Sequence, residues 1–163
     1  MRLRIELPDV GVDAGALLYG DAAPNVTRLI YRSLATPLHT HTSHACFSGH
    51  QIFCFLQPFA ETPPIENRTM RPQPGEIMFF HARPNELALM QEERLTGSSE
   101  GMYELAFNYS EVDLRHFTEE GLHGSLVGRV DRSVEAFAKA CAATLIDGGI
   151  SMRLSQELPR AGD

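Results

Sequence analysis

GALLYGDAAPNVTRLIYRSL, residues 15–34, and SLVGRVDRSVEAFAKACAATLIDGGISMRLS, residues 125–155, decide the fold of this chain. The first runs from a short apolar strand through Asp21, Ala22 and Ala23 to Pro24, which suits the first helical turn because an N–H there would have no partner. Val26, Leu29, Ile30 and Leu34 then form an apolar stripe, and the helix is expected to end before Pro37. AGALLYG (14–20), apolar on both faces, reads as a buried strand.

In the second stretch Asp131 is the expected cap of a helix carrying Val134, Phe137, Ala138, Cys141, Ala142, Leu145 and Ile146, with Gly148-Gly149 as its stop. GISMRLS (149–155) alternates Ile150, Met152 and Leu154 with polar residues, as a strand with one wet face does. MRLRIELPDV at the start alternates in the same way and has no continuous apolar core, so it reads as a strand and not as a signal peptide.

Between these ends, residues 43–57 look extended and finish in IFCFL, apolar on both faces. The proline-rich 58–75 is expected to cross the surface, since prolines cannot join a ladder. EIMFFHA, NELALMQ and MYELAFN are three further short strands. Many short strands, one helix early and one late, and no regular βαβ alternation predict a mainly β barrel whose ends are covered by helices. At 163 residues a single domain over 1–157 is expected, with 158–163 a disordered tail.

A net charge of −7, with only one lysine (Lys139) among fourteen basic residues and no clustered stripe, argues against nucleic acid and anionic membrane surfaces as partners. No apolar run approaches the roughly 20 residues needed to span a bilayer. Three scattered cysteines, Cys46, Cys54 and Cys141, are too few for a disulfide framework and agree with a cytoplasmic location. No cofactor is expected.

HTHTSHACFSGH (39–50) is the densest cluster of reactive side chains. On a strand His39 and His41 share a face, with His44 on the other. Two histidines are one ligand short of a catalytic zinc site. A cupin, the strongest metal alternative, fails on spacing: Ala45 and Cys46 stand where a glutamate ligand belongs, and Met78 where a histidine belongs. His39 and His41 are therefore expected on a solvated connection, without metal. Cys54 and Cys141 sit in apolar patterns and read as core; Cys46 beside His44 is the one candidate nucleophile. Asn67 and Thr69 have a structural reading too, as anchors of the proline-rich loop, and Pro74-Gly75-Glu76 reads as a tight turn.

The two terminal stretches resemble the strand, turn and helix that open a cyclophilin and the strand, helix and strand that close it. HACFSG (44–49), PPIENRTMRPQPGEIMFF (63–80) and NELAL (85–89) resemble an uncharacterised bacterial family of cyclophilin-like proteins, domain of unknown function 3830. The resemblance covers about residues 2–155 and implies a closed eight-stranded barrel with two helices. It does not carry over prolyl isomerase activity. The Phe-His-Arg, Gln-Gly-Gly-Asp and Asn-Thr-Asn-Gly-Ser-Gln-Phe-Phe stretches of cyclophilins are absent, and His44-Ala45-Cys46-Phe47 stands where the arginine is expected. The leading expectation is a cleft for a small polar metabolite or peptide segment formed by His44, Ser48, Glu66, Asn67 and Glu86, with His81 near its rim. Alternatives are an enzyme or enzyme subunit acting on cyclic amide or ureido compounds, and an interaction module or homo-oligomer.

Overall fold

The structure, a computed structural model, describes residues 1–45, 49–83 and 101–157. β1 (Arg2–Leu7) buries Leu3, Ile5 and Leu7 completely and turns Arg2, Arg4 and Glu6 outward, as the two-residue period of a strand dictates. A single turn at Pro8–Val10, closed by Gly11 at φ 64°, reverses the chain into β2 (Val12–Leu18). β2 is more one-sided than its composition suggests, because Leu17 points out and is 39% exposed. α1 (Pro24–Ser33) follows with Pro24 in its first turn, and Val26, Leu29, Ile30 and Leu34 are buried as expected.

The remaining elements are β3 (Leu38–His41), β4 (Ser43–His44), β5 (Gly49–Phe55), β6 (Arg68–Thr69), β7 (Glu76–Ala82), β8 (Met102–Val112), β9 (Gly124–Arg132), α2 (Val134–Asp147) and β10 (Ser151–Gln156). The described strands all pair antiparallel in the order β3-β10-β1-β2-β9-β7-β8-β5-β4, with β6 added on β9. The two ends of that path, β3 and β4, are separated in the chain by Thr42 alone. Thr42 is buried; its N–H donates to the Ile150 carbonyl at 2.9 Å, and its Oγ1 accepts the Ile150 N–H at 3.0 Å. Residues 38–44 thus act as one strand interrupted at Thr42, pairing with β10 by its first half and with β5 by its second. Counted so, eight strands among the described residues form a nearly closed ring.

β2 and β9 are antiparallel, so α1, which follows β2, and α2, which follows β9, leave the ring at opposite ends. The interior is one apolar cluster joining the inward faces of β1, β2, β5, β7, β8, β9 and β10 to both helices. A second, smaller cluster of Met78, Phe80, Ala106, Val112 and Leu114 lies on the outward face of β7 and β8.

Two local expectations are corrected. Asp131 does not cap α2: it lies on β9 and takes a bidentate pair from Arg2, at 2.7 and 2.8 Å. Ser133, at φ 56°, holds the cap position instead, without a side-chain cap bond. The buried stripe of α2 is Phe137, Cys141 and Thr144, whereas Leu145 and Ile146 are 59% and 85% exposed. At about 100° per residue, Ile146 falls on the side opposite Phe137, so the expected stripe was too wide for a one-sided helix.

IFCFL is also one-sided, with Ile52, Cys54 and Leu56 buried and Phe55 36% exposed. Within the proline-rich loop the proline-free pair Arg68-Thr69 joins β9 opposite Ser125 and Gly124. The expected strand NELALMQ and the tail 158–163 lie outside the described residues. Among the described residues no helix is long and apolar enough to cross a membrane.

Candidate functional site

His44 and Tyr109 meet on the inner wall of the barrel toward the α2 end. His44 Nδ1 lies 2.9 Å from the Ala45 carbonyl, which can only accept, so this nitrogen carries the proton. The other nitrogen, Nε2, lies 2.7 Å from Tyr109 Oη and accepts from it in the neutral ring. The His50 ring also stands edge-on to Tyr109, at 5.7 Å between centroids, and its Nδ1 donates to the Glu111 carbonyl. Burial, and then the nearby Cys141, raise the Tyr109 phenol above its ordinary value, so it stays a neutral donor at neutral pH. Nearby, Gln51 donates to Asn108 at 2.9 Å, and Asn108 donates to the Glu76 carbonyl at 2.7 Å, fastening β5, β8 and β7 together.

At the other end of the same wall the described residues form a cleft. His81 on β7 and Tyr103 on β8 are register partners whose rings stack at 4.7 Å between centroids. Phe59 leans on Tyr103 edge-on at 5.1 Å and stacks on Phe79 at 5.6 Å, so an aromatic floor runs from the core to the opening. Over it lies a cleft of about 670 Å³ lined by Pro58, Phe59, Glu61, His81, Arg83 and Tyr103. One cation, one carboxylate, an imidazole and apolar rings thus converge on a volume of metabolite size. Glu61 is 4.0 Å from Arg28 of α1, at the outer edge of the opening.

A slightly larger cleft, about 730 Å³, lies across the outer faces of β1, β2, β3 and β10. Its charges are engaged with one another: Glu6 pairs with Arg153, and Asp13 with Arg4 and Arg132. His39 and His41 are on its wall. They belong to β3, opposite Arg153 and Ser151 of β10, and not to an irregular connection, although both are exposed. Hydrogen bonding to β10 makes this segment a strand, a partner that polar local sequence does not announce. Among the described residues no three His, Cys, Asp or Glu side chains converge as a metal site.

The residues expected to share one cleft are dispersed. His44 is held by β8 through Tyr109, whereas Glu66 is held by α1: its Oε2 accepts the Asn25 and Val26 N–H groups at 3.0 Å each. Asn67, at φ 46°, exchanges two bonds with Leu126, donating from Nδ2 at 2.8 Å and accepting the Leu126 N–H at 3.0 Å. Thr69 Oγ1 accepts the Arg71 N–H, so the anchoring reading of this loop is the one the geometry displays. Gly75, at φ 87°, makes the turn before β7. Of the four described residues among the six, His81 alone lines this mouth; Ser48 and Glu86, like Cys46, lie outside the described residues. Tyr103, Phe59 and Tyr109, which line the two ends of this wall, are not among the six. Alternation within MYELAFN places Tyr103 with Leu105 and Phe107, and that was the available signal.

The ring of strands with a helix at each end defines a cyclophilin-like barrel protein. The chain belongs to the family described as "Protein of unknown function (DUF3830)", whose model matches residues 5–156. Solved structures bear out the fold. McbB, determined in complex with tryptophan, is similar at a TM-score of 0.64 and 19% identity over 99% of this chain and 46% of that one, so the chain spans about half the length of McbB. The hypothetical protein AF2241 from Archaeoglobus fulgidus is similar at a TM-score of 0.54 and 15% identity, covering 96% of this chain and 95% of its own. No curated protein matches the chain.

Proposed function

We propose that the barrel mouth over Phe59, His81 and Tyr103 binds a small polar metabolite with a flat apolar part and a carboxylate, and that the protein lacks prolyl isomerase activity. The observation that carries this reading is the cleft itself: an aromatic floor continuous with the core, with Arg83 and Glu61 at its edge. Arg83 suits a carboxylate, Glu61 an amino group, and the Tyr103 and Phe59 rings a planar body. A zwitterionic aromatic molecule fits that set, and the tryptophan recorded with McbB is of this kind. The absence of isomerase chemistry is supported by the segment after α1, where Leu38–His41 and Ser43–His44 carry no arginine to stabilise a twisted amide. A reducing, cytoplasmic setting is part of the reading, supported by the free buried thiols of Cys54 and Cys141.

A thermal-shift screen of amino acids, aromatic carboxylates and their neutral amides tests this. Carboxylates are expected to raise the melting temperature and their amides not to. Arg83→Ala should remove the shift, and Arg83→Lys, which keeps the charge, should retain part of it. A shift that survives Arg83→Ala and His81→Ala together would place the ligand elsewhere.

A further inference from the structure

Tyr103 and Glu104 are consecutive on β8 and therefore point to opposite sides of the barrel wall, Tyr103 into the mouth and Glu104 outward. Glu104 stands in register opposite Phe55 of β5 on one side and Phe80 of β7 on the other. Phe53, on the same face of β5, meets Phe55 edge to face at 5.6 Å between centroids. Phe55 and Phe80 thus flank one half-buried carboxyl in register, Phe53 stands next to Phe55 on the same face, and Phe55 is 36% exposed.

The contrast with the other outward carboxylates is chemical. Glu6, Asp13, Asp131 and Glu157 are each matched by an arginine, as is Asp113 by Arg115. Glu104 has no hydrogen-bond or ion-pair partner among the described residues. A carboxylate kept partly from water without a partner is costly, and an incoming cation relieves that cost. Aromatic faces add attraction for a cation and apolar cover for its alkyl part.

We propose that Glu104, Phe53, Phe55 and Phe80 form an outward-facing binding site for an alkylammonium group. The carboxylate supplies the counter-charge and the rings enclose the carbon chain. This site is separate from the mouth and stands or falls independently of it. Burial pushes the Glu104 carboxyl up to about 7, so its charge changes across neutral pH. Phe53, Phe55 and Phe80, which face it from β5 and β7, carry no titratable group, nor do Met102 and Ala106 on its own strand. The Cys54 thiol behind it, pushed up to about 12 by burial and by the Glu104 charge, stays neutral there.

The test titrates the full chain with n-butylammonium chloride, and in parallel with n-butanol, following the phenylalanine ring signals by NMR. Saturable shifts at Phe55 with the amine and not the alcohol are expected. Affinity should fall about tenfold from pH 8 to pH 6, because the ionised fraction of a carboxyl near 7 drops from about nine-tenths to about one-tenth. Glu104→Gln should weaken binding about tenfold or more at pH 8. The pH comparison uses the unaltered protein, so it decides the matter even if the variant folds poorly. Equal binding of the alcohol, a flat pH profile, or shifts confined to His81 and Tyr103 would overturn the proposal.

Discussion

Glu66 closes the N-terminus of α1 around Asn25: Oε2 accepts the Asn25 backbone N–H at 3.0 Å and Oε1 accepts its side-chain Nδ2 at 2.8 Å. The helix has no cap of its own, since Ala23 holds the cap position. A carboxylate reaching from a loop 41 residues away replaces it and also complements the positive end of the helix dipole. Glu66→Ala should therefore cost about 0.5–2 kcal/mol in chemical denaturation, the range for losing a cap. Glu66→Gln, which keeps an acceptor but not the charge, should cost about half as much. A loss below about 0.3 kcal/mol for Glu66→Ala would show that the cap is not stabilising.

Thr42 carries the closure of the ring. Thr42→Val keeps the volume but leaves the Ile150 N–H without its side-chain acceptor, for an expected loss of about 1–3 kcal/mol. Thr42→Ser, which keeps the hydroxyl, should retain most of the stability. The two variants, compared by urea unfolding, separate the hydrogen bond from simple packing.

Strand positions were legible in the sequence wherever a single face is buried: Leu3, Ile5 and Leu7, or Met152 and Leu154, announce themselves by alternation. α1 was legible through Pro24 and its stripe. The break at Thr42 was not, because closure depends on two long-range partners, β10 and β5, and His39 to His44 are polar enough to pass for a connection. The site was harder still. His81 could be placed near an opening, but Glu66 and Asn67, polar residues in a proline-rich loop, look the same whether they wait for a ligand or hold a helix and a strand. Only the tertiary partner distinguishes the two, and local sequence does not contain it.

The thiols offer a direct check on the core. Burial pushes both Cys54 and Cys141 up to about 12, and neither is exposed. Of the three cysteines in the chain, iodoacetamide at pH 7.5 should modify Cys46 at most while the protein is folded, and all three in denaturant, as read by mass spectrometry. Modification of Cys54 or Cys141 at the rate of a free thiol would contradict the packing of α2 and β5 against the barrel.

Glu104 makes stability depend on pH. Its carboxyl is raised from 4.5 to about 7 in the folded state by burial, so the folded chain binds the proton more tightly than the unfolded chain does. Stability from this group is full below about 4.5 and is lost as pH rises through about 7. Between pH 5 and pH 8 the protein should lose about 2–3 kcal/mol relative to Glu104→Gln, which has no proton to release. Parallel denaturation curves for the two proteins at both pH values give the answer; an unchanged difference would mean that Glu104 is solvated like a surface carboxyl.

The imidazole signals of the seven histidines, followed by NMR during titration with the strongest carboxylate from the screen, test the binding site most directly. The account predicts that His81 shifts saturably, together with the Tyr103 ring stacked on it, while His44, held between Ala45 and Tyr109, stays in place. Movement of His44 and His50 with His81 unchanged would contradict it and move the site to the α2 end of the barrel.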